Sequence, residues 1–277
     1  MNEEDSNRIR SDELTHIYNE LQPLVGAQFK NLSIPKPVIQ AFEPSQIGTI
    51  VGTLMDALIP HLDDIPTVGL KKAEGILGER EGYPDYVHDD GYRLELKLIY
   101  VDNPALTMKR PPTKREPSAR LTQKVTVKNV VPETDAMLLI AYQMQPQADD
   151  EMAVSPTIIS ISVLPMLELV EARDKRLTDG GGIWFGDYET PAVLSKIGQG
   201  KLDRGISLDT STYGRKESEG KDFNEDTNFG KLQRIPHSQL QDFIRKCKRI
   251  SVGQEAIPVP ATQIGALKIE DESGGYG

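Results

Sequence analysis

Residues 83–100 read YPDYVHDDGYRLELKLIY and predict a β-hairpin. The Asp90-Gly91 pair is a strong signal for a tight turn, and the aromatic, β-branched and leucine residues on both sides of it favour strands. Side chains two positions apart in a strand project from the same face, so Glu95 and Lys97 point one way and the neighbouring leucines the other. Charged side chains inside an apolar strand cost free energy on burial, which favours a function for them over the alternative of an ordinary exposed hairpin.

An acidic residue on the first strand of this hairpin, Asp85, can pair across the sheet near the face that carries Glu95. Carboxylates, carbonyls and water are the ligands that Mg²⁺ and Mn²⁺ prefer, so Asp85, Glu95 and the carbonyl of Leu96 are candidate metal ligands. Lys97 is then placed to orient an attacking water or to stabilise charge at phosphorus. The hairpin therefore predicts a Mg²⁺ site, with Mn²⁺ as a substitute, beside a scissile phosphate.

The order Pro84-Asp85, nine residues, then Glu95-Leu96-Lys97 resembles the PD-(D/E)xK nuclease superfamily, whose largest known group is the type II restriction endonucleases. The resemblance is carried by this hairpin, with a basic segment directly after it. It implies an α/β fold with an αβββαβ core, in which a central mixed β-sheet is flanked by helices. It also implies that Asp85 and Glu95 are the metal ligands and Lys97 the catalytic lysine.

Many members of that superfamily add a glutamate from the helix before the hairpin. Helical spacing of apolar residues predicts such a helix over residues 67–79. We take Glu74, in the middle of this helix, as the fourth catalytic residue. Glu79 and Glu81, nearer the turn, remain alternatives.

A basic segment follows the hairpin: residues 109–128 carry seven lysines and arginines and a single acid, Glu116, in a chain of net charge −10. Such a concentrated basic face binds phosphate locally, and arginine and glutamine also read base edges. A short helix over 118–124 would place its polar residues on one face. The segment predicts contact with DNA through Lys109, Arg110, Lys114, Arg115, Arg120, Gln123 and Lys124, although each residue taken singly also fits a solvated loop.

The composition narrows the class of protein. A single cysteine, Cys247, excludes an internal disulfide and a cysteine-rich zinc site, which favours a reducing, cytoplasmic location. No apolar run approaches ~20 residues, so no membrane span is expected. The glycine-rich stretches at 180–182 and 198–201 do not fit a phosphate-binding loop, so no nucleotide cofactor is expected.

We expect one nuclease domain over residues 1–277. Further helices are predicted at 11–21, 45–60, 165–176 and 237–249, a buried central strand at 136–142 and another strand at 157–164. No element is assigned to the polar residues 178–231, which form either a recognition or dimerisation insert or a long mobile loop. The expected divisions are an N-terminal helical region at 1–66, the catalytic core at 67–177, recognition or dimerisation elements at 178–250 and a flexible tail at 264–277.

These observations predict a Mg²⁺-dependent type II restriction endonuclease that cuts double-stranded DNA as a homodimer. One alternative is a nuclease of the same core in DNA repair, recombination or transposition. An alternative of a different class is a DNA-binding module without catalysis.

Overall fold

A computed structural model of the chain describes residues 8–61, 68–74, 82–106, 117–148, 150–219 and 221–257. The described chain is an α/β protein with one large and one small β-sheet. Within these ranges, none of the helices combines the length and apolar character needed to cross a lipid bilayer. In chain order the helices and strands are α1 (Ser11–Leu21), β1 (Ile34–Pro35), α2 (Lys36–Ala41), α3 (Pro44–Leu58), β2 (Leu70–Lys72), β3 (Tyr86–His88), β4 (Arg93–Tyr100), β5 (Asp135–Pro146), β6 (Ala153–Pro165), α4 (Met166–Asp179), β7 (Ile183–Phe185), β8 (Thr190–Leu194), α5 (Lys196–Leu202), β9 (Phe223–Glu225) and α6 (Ser238–Ser251).

The large sheet has six strands in the order β1-β6-β5-β4-β3-β2. Strands β4 and β5 are parallel, and the other neighbours are antiparallel, so the sheet is mixed. Strands β5 and β6, the two longest, are buried along almost their whole length. The continuous apolar sequence of β5 follows from this position, because a strand covered on both faces needs no polar alternation.

Helices cover both faces of the large sheet. Apolar residues of α1, α2 and α3 pack on one face in what we call the first core, and residues of α4 and α6 pack on the other face in the second core. The side chains of β4 alternate between the two: Leu94 and Leu96 lie in the first core, and Ile99 lies in the second. Glu95 and Lys97 therefore lie on the second-core side of the sheet.

Helix α3 lies directly on β4 because two glycines face the strand. A Cβ added at Gly48 would lie 3.9 Å from the Tyr100 Cβ, and one added at Gly52 would lie 3.7 Å from Leu98 Cδ1. The next residue at the same helical spacing is Asp56, which is therefore carried toward the sheet. This docking fixes the position of the only charged side chain in α3.

The polar region for which the sequence predicts no element forms a small antiparallel sheet, β7-β8-β9, together with α5. Aromatic side chains hold it together: the ring centroids of Trp184 and Phe229 are 5.0 Å apart, and those of Phe185 and Tyr213 are 4.8 Å apart. The alternative of a long loop without secondary structure is therefore wrong.

Two predicted helices are corrected. Residues 70–72 of the helix predicted over 67–79 form the edge strand β2, because pairing with β3 prevails over helical spacing. Residues 118–124 form no helix, because their backbone pairs with a distant segment instead. Leu121 N donates to Gly230 O at 2.8 Å, and Leu232 N donates to Ala119 O at 3.1 Å.

The other helices and the central strands agree with the sequence, with shifted ends. Helix α4 continues to Asp179, and α1 begins directly after Arg10. The Arg10 backbone N–H donates to Glu13 Oε2 at 2.8 Å and so fixes the start of α1. The predicted tail at 264–277 lies outside the described residues.

Candidate active site

The candidate site lies where the β3–β4 ladder ends. The two strands pair only at Tyr86↔Leu94 and Val87↔Arg93, although β4 continues to Tyr100. Continuing the same register would place Pro84 opposite Leu96. Proline has no N–H to donate, so the ladder cannot include its next pair of hydrogen bonds.

The side chain of Asp85 provides the hydrogen-bond acceptor that a continued strand would have offered to Leu96 N. Leu96 N donates to Asp85 Oδ2 at 2.8 Å. The N–H and C=O of one strand residue point toward the same edge, so the Leu96 carbonyl also faces the end of the ladder. The sequence-predicted candidates Asp85 and Leu96 are thus brought together by a hydrogen bond, with the carbonyl on the side of the carboxylate.

Glu95 and Lys97 form a close ion pair next to this edge. Lys97 Nζ donates to Glu95 Oε1 at 2.6 Å, and the side chains are 18% and 4% exposed for Lys97 and Glu95 respectively. The other carboxylate oxygen, Glu95 Oε2, is buried and has no hydrogen-bond partner among the described residues. A buried carboxylate oxygen without a partner is costly, and it favours the binding of a cation there.

The two carboxylates perturb each other. Burial raises the pKa of Glu95 to about 7, opposed by the positive charge of Lys97 and reinforced by the negative charge of Asp85. Burial also raises the pKa of Asp85, opposed by Lys97 and by the hydrogen bond from Leu96 N. Lys97 therefore neutralises only part of the negative charge that the site holds when both acids are ionised.

The residues present fit a hard divalent cation. Asp85, Glu95 and the Leu96 carbonyl offer oxygen atoms only, which suits Mg²⁺ or Mn²⁺. Within the described ranges, no three or more His, Cys, Asp or Glu side chains form a group that could hold a metal. Mg²⁺ commonly takes one or two carboxylates and completes its octahedron with water and substrate oxygens.

Sequence analysis missed a third acid, Asp56, at the C-terminal end of α3. Its carboxylate oxygens accept hydrogen bonds from Lys72 Nζ at 2.8 Å and from the Tyr86 hydroxyl at 2.6 Å. Its negative charge contributes to the raised pKa of Asp85, although α3 packs on the first-core face. The available signal was compositional: Asp56 is the only charged residue in the helix.

The predicted fourth catalytic residue lies beside the site without joining it. Ala73 N donates to Asp85 O at 3.0 Å, so Glu74 follows a backbone contact with the site. Its side chain is exposed, however, and no hydrogen bond or ion pair connects it with the two carboxylates. The alternatives Glu79 and Glu81 lie outside the described residues.

A buried network lies next to Glu95 on the second-core face. The Asp135 carboxylate accepts hydrogen bonds from the Tyr83 hydroxyl and from Arg93 Nη2, the latter at 3.0 Å. Burial is the main cause of the raised pKa of Asp135, and these donors oppose it. The Glu95 charge contributes to the raised pKa of the Tyr83 hydroxyl, which indicates that the network and the site are neighbours.

The predicted DNA contacts are only partly described. Four of them, Lys109, Arg110, Lys114 and Arg115, lie outside the described residues.

The remaining three, Arg120, Gln123 and Lys124, lie in a loop rather than on one helical face. Arg120 and Lys124 are exposed, and Gln123 is half-buried. Arg120 Nη1 donates to Thr227 O at 2.8 Å, which ties this loop to the segment that follows β9.

Comparisons of the chain with protein-family models, with curated proteins and with solved structures returned no match. Any assignment of function to this site therefore depends on its own side chains and their geometry.

Proposed function

We propose that this chain is a Mg²⁺-dependent endodeoxyribonuclease on a PD-(D/E)xK core, of the type II restriction class. The observation that carries the proposal is the arrangement around Glu95. A buried carboxylate oxygen without a partner lies beside Asp85 and the open edge at Leu96, with Lys97 on the same strand face. Hard oxygen ligands bind a divalent metal ion, and a lysine beside them can bind the phosphate that the metal ion contacts.

The order of elements supports the proposal. Helix α3 precedes an antiparallel series β2-β3-β4, and β5 returns parallel to β4. This order agrees with the αβββαβ core that the resemblance implies. One difference is that the described part of the β4–β5 connection contains no helix.

Each side chain has a distinct task in the proposed reaction. Asp85, Glu95 and the Leu96 carbonyl hold Mg²⁺, which when bound polarises the phosphate and lowers the pKa of water. Lys97 neutralises part of the site's charge in the free protein. Once another cation balances Glu95, the Lys97 ammonium is available to donate to a phosphate oxygen or to orient water.

The chemical outcome follows from the resemblance. Water attacks phosphorus in line, the P–O3′ bond breaks, and the 3′ oxygen takes up a proton. The products are a 5′-phosphate and a 3′-hydroxyl. Lys97, as the cation closest to Glu95, is the side chain of this chain that stabilises the added negative charge on the phosphate.

Asp56 replaces Glu74 as our choice for the acid contributed from the helix that precedes the hairpin. It belongs to α3, it is partly exposed, and its charge affects Asp85. Its pairing with Lys72 keeps the carboxylate on the sheet side of the helix. In this proposal Asp56 supports the site from the first-core face.

The proposed substrate is double-stranded DNA, and the proposed assembly is a homodimer, because cutting two antiparallel strands of a symmetric site needs two equivalent active sites. Arg120 and Lys124, in the loop at 117–134, are exposed, and in this proposal they contact phosphates. Sedimentation of the purified protein alone and with a DNA duplex measures the assembly.

The test is cleavage of plasmid and phage DNA by the purified protein. With Mg²⁺ we expect discrete fragments that share one sequence at their ends, and with EDTA we expect none. Lys97→Ala should abolish cutting and retain DNA binding, whereas Lys71→Ala, an exposed lysine on β2 paired with Asp89, should cut normally. Intact DNA at all Mg²⁺ concentrations would exclude the nuclease and leave the DNA-binding module.

A pattern of cuts distinguishes the two nuclease candidates. Smears, or cuts only at branched or damaged DNA, would assign the activity to repair or recombination. A common sequence at all fragment ends would assign it to restriction.

A further inference from the structure

A single buried carboxylate joins β4, which carries Glu95, to the segment directly before β3, which carries Asp85. The side chain of Asp135, at the start of β5, is fully buried. Its Oδ2 accepts hydrogen bonds from the Tyr83 hydroxyl, from Arg93 Nη2 at 3.0 Å and from Val131 N at 2.9 Å. Its Oδ1 accepts a hydrogen bond from Thr134 Oγ1 at 3.2 Å and lies 2.9 Å from Arg93 Nε.

Asp135 holds one side chain from each of the two chain segments that carry the candidate ligands. Tyr83 comes two residues before Asp85, and Arg93 comes two residues before Glu95. Arg93 and Glu95 lie in β4, where residues two apart share a face about 7 Å from each other, whereas Tyr83 and Asp85 lie directly before β3 and are joined through Pro84. Asp135 therefore ties the segment that holds Asp85 to the strand that holds Glu95.

The Tyr83–Asp135–Arg93 network connects the two segments beyond the point where the backbone pairing of β3 with β4 ends. Beyond Tyr86↔Leu94 the described residues of β3 and β4 form no further pair, so the distance between Asp85 and Glu95 is not fixed by backbone pairing. Besides the hydrogen bond from Leu96 N to Asp85, the Tyr83–Asp135–Arg93 network is a second connection between the Asp85 segment and β4. Tyr83 and Asp135 are buried in it and Arg93 is half-buried, and their contacts are short, so the network restricts how the two segments can move apart.

We propose that Asp135 is a positioning residue: by holding Tyr83 and Arg93, it sets the separation of the Asp85 and Glu95 carboxylates to suit a divalent cation. This inference rests on the proposed function of that site. A buried ion pair by itself contributes little to stability, and groups that support metal ligands commonly change metal affinity or activity by about 10–100-fold when they are altered.

The experiment compares two buried tyrosines. Tyr83→Phe removes a hydroxyl that donates to Asp135, whereas Tyr142→Phe removes a hydroxyl that has no hydrogen-bond partner in the described part of the chain. Both side chains are almost fully buried, so each change removes one oxygen from a packed interior. Mn²⁺ binding is measured by calorimetry without DNA, and kcat and KM are measured on a plasmid with Mg²⁺.

We expect Tyr83→Phe to weaken Mn²⁺ binding and to lower kcat, each about tenfold, with KM for DNA within about twofold of the wild type. Tyr142→Phe should match the wild type within about twofold in all three quantities. Asp135→Asn should weaken Mn²⁺ binding more than Tyr83→Phe does. If Asp135→Asn does not fold, the comparison of Tyr83→Phe with Tyr142→Phe still tests the positioning role of Asp135.

Two results separate failure of the inference from failure of the proposed function. If Tyr83→Phe lowers only the melting temperature and leaves Mn²⁺ binding and kcat unchanged, the network is structural and the positioning role is refuted. If the wild type binds Mn²⁺ but leaves DNA intact, the proposed function fails, and the Mn²⁺ affinities alone decide on Asp135. A wild type that does not bind Mn²⁺ overturns both.

Discussion

Replacing Glu95 by glutamine tests the electrostatics of the site in a protein without metal. Burial raises the pKa of Glu95 from 4.5 to about 7, while the unfolded chain ionises near the ordinary value. As the pH rises from about 4.5 to about 7, the unfolded state therefore loses its proton first. The free energy of unfolding of the wild type should fall through this window and then stay low.

The size of this effect follows from the same two pKa values. Each pKa unit corresponds to about 1.4 kcal/mol, so complete ionisation of Glu95 lowers the free energy of unfolding by roughly 3 kcal/mol. Most of this loss, about 2 to 3 kcal/mol, falls between pH 5 and pH 8. Glutamine has no proton to lose, so we expect Glu95→Gln to gain this amount relative to the wild type over that interval.

The assay is urea unfolding with EDTA at pH 5 and pH 8, followed by circular dichroism. The matched control is Glu133→Gln, the same chemical change at an exposed position, which should track the wild type at both pH values. In cleavage assays with Mg²⁺, Glu95→Gln should be inactive despite its higher stability at pH 8. A stability difference between Glu95→Gln and the wild type that is the same at pH 5 and pH 8 would refute the reasoning.

Two further predictions concern α3 and α5. Asp56→Asn should lower the single-turnover cleavage rate by roughly 10–100-fold because it removes the helix acid. Glu74→Gln should leave that rate within about twofold of the wild type. A larger loss of rate in Glu74→Gln than in Asp56→Asn would restore Glu74 as the fourth acid. Gly198→Ala should lower the free energy of unfolding by about 1–3 kcal/mol, because its Cβ would lie 2.3 Å from the Asp222 carbonyl oxygen. Gly200→Ala, with nothing within 4 Å of the added carbon, should raise it by about 0.5–1 kcal/mol, and equal effects in urea unfolding would contradict this account of α5.

The sequence predicts the hairpin because its signals are local. The turn at Asp90-Gly91 and the period-two alternation around Glu95 involve only neighbouring residues, and the structure has the turn and the alternation where they were expected. Strand β5 is predicted for the same reason, since a continuous apolar run identifies a strand covered on both faces, and the isoleucines and valine at 157–164 predict β6.

The incorrect predictions depend on contacts between distant parts of the chain. Residues 118–124 pair with a segment more than 100 positions later. This close backbone contact requires a glycine at position 230, because a Cβ there would lie 2.0 Å from Leu121 O. The role of Asp56 likewise depends on how α3 docks on β4. Helical spacing predicts α3 but does not say which of its faces meets the sheet.

The proline beside Asp85 explains why a metal site is possible at this position of the sheet. In a continued antiparallel ladder, residue 84 would face Leu96 and exchange two hydrogen bonds with it. Pro84 cannot donate, so the Leu96 carbonyl on that edge receives no N–H from this position, while Asp85 takes the Leu96 N–H through its side chain. The carboxylate is thereby held by the same residue whose carbonyl is left for a cation. A residue with an N–H at position 84 would allow the ladder to continue, and the Leu96 N–H and C=O would both form backbone hydrogen bonds. The two acids would then face each other without a third oxygen ligand between them.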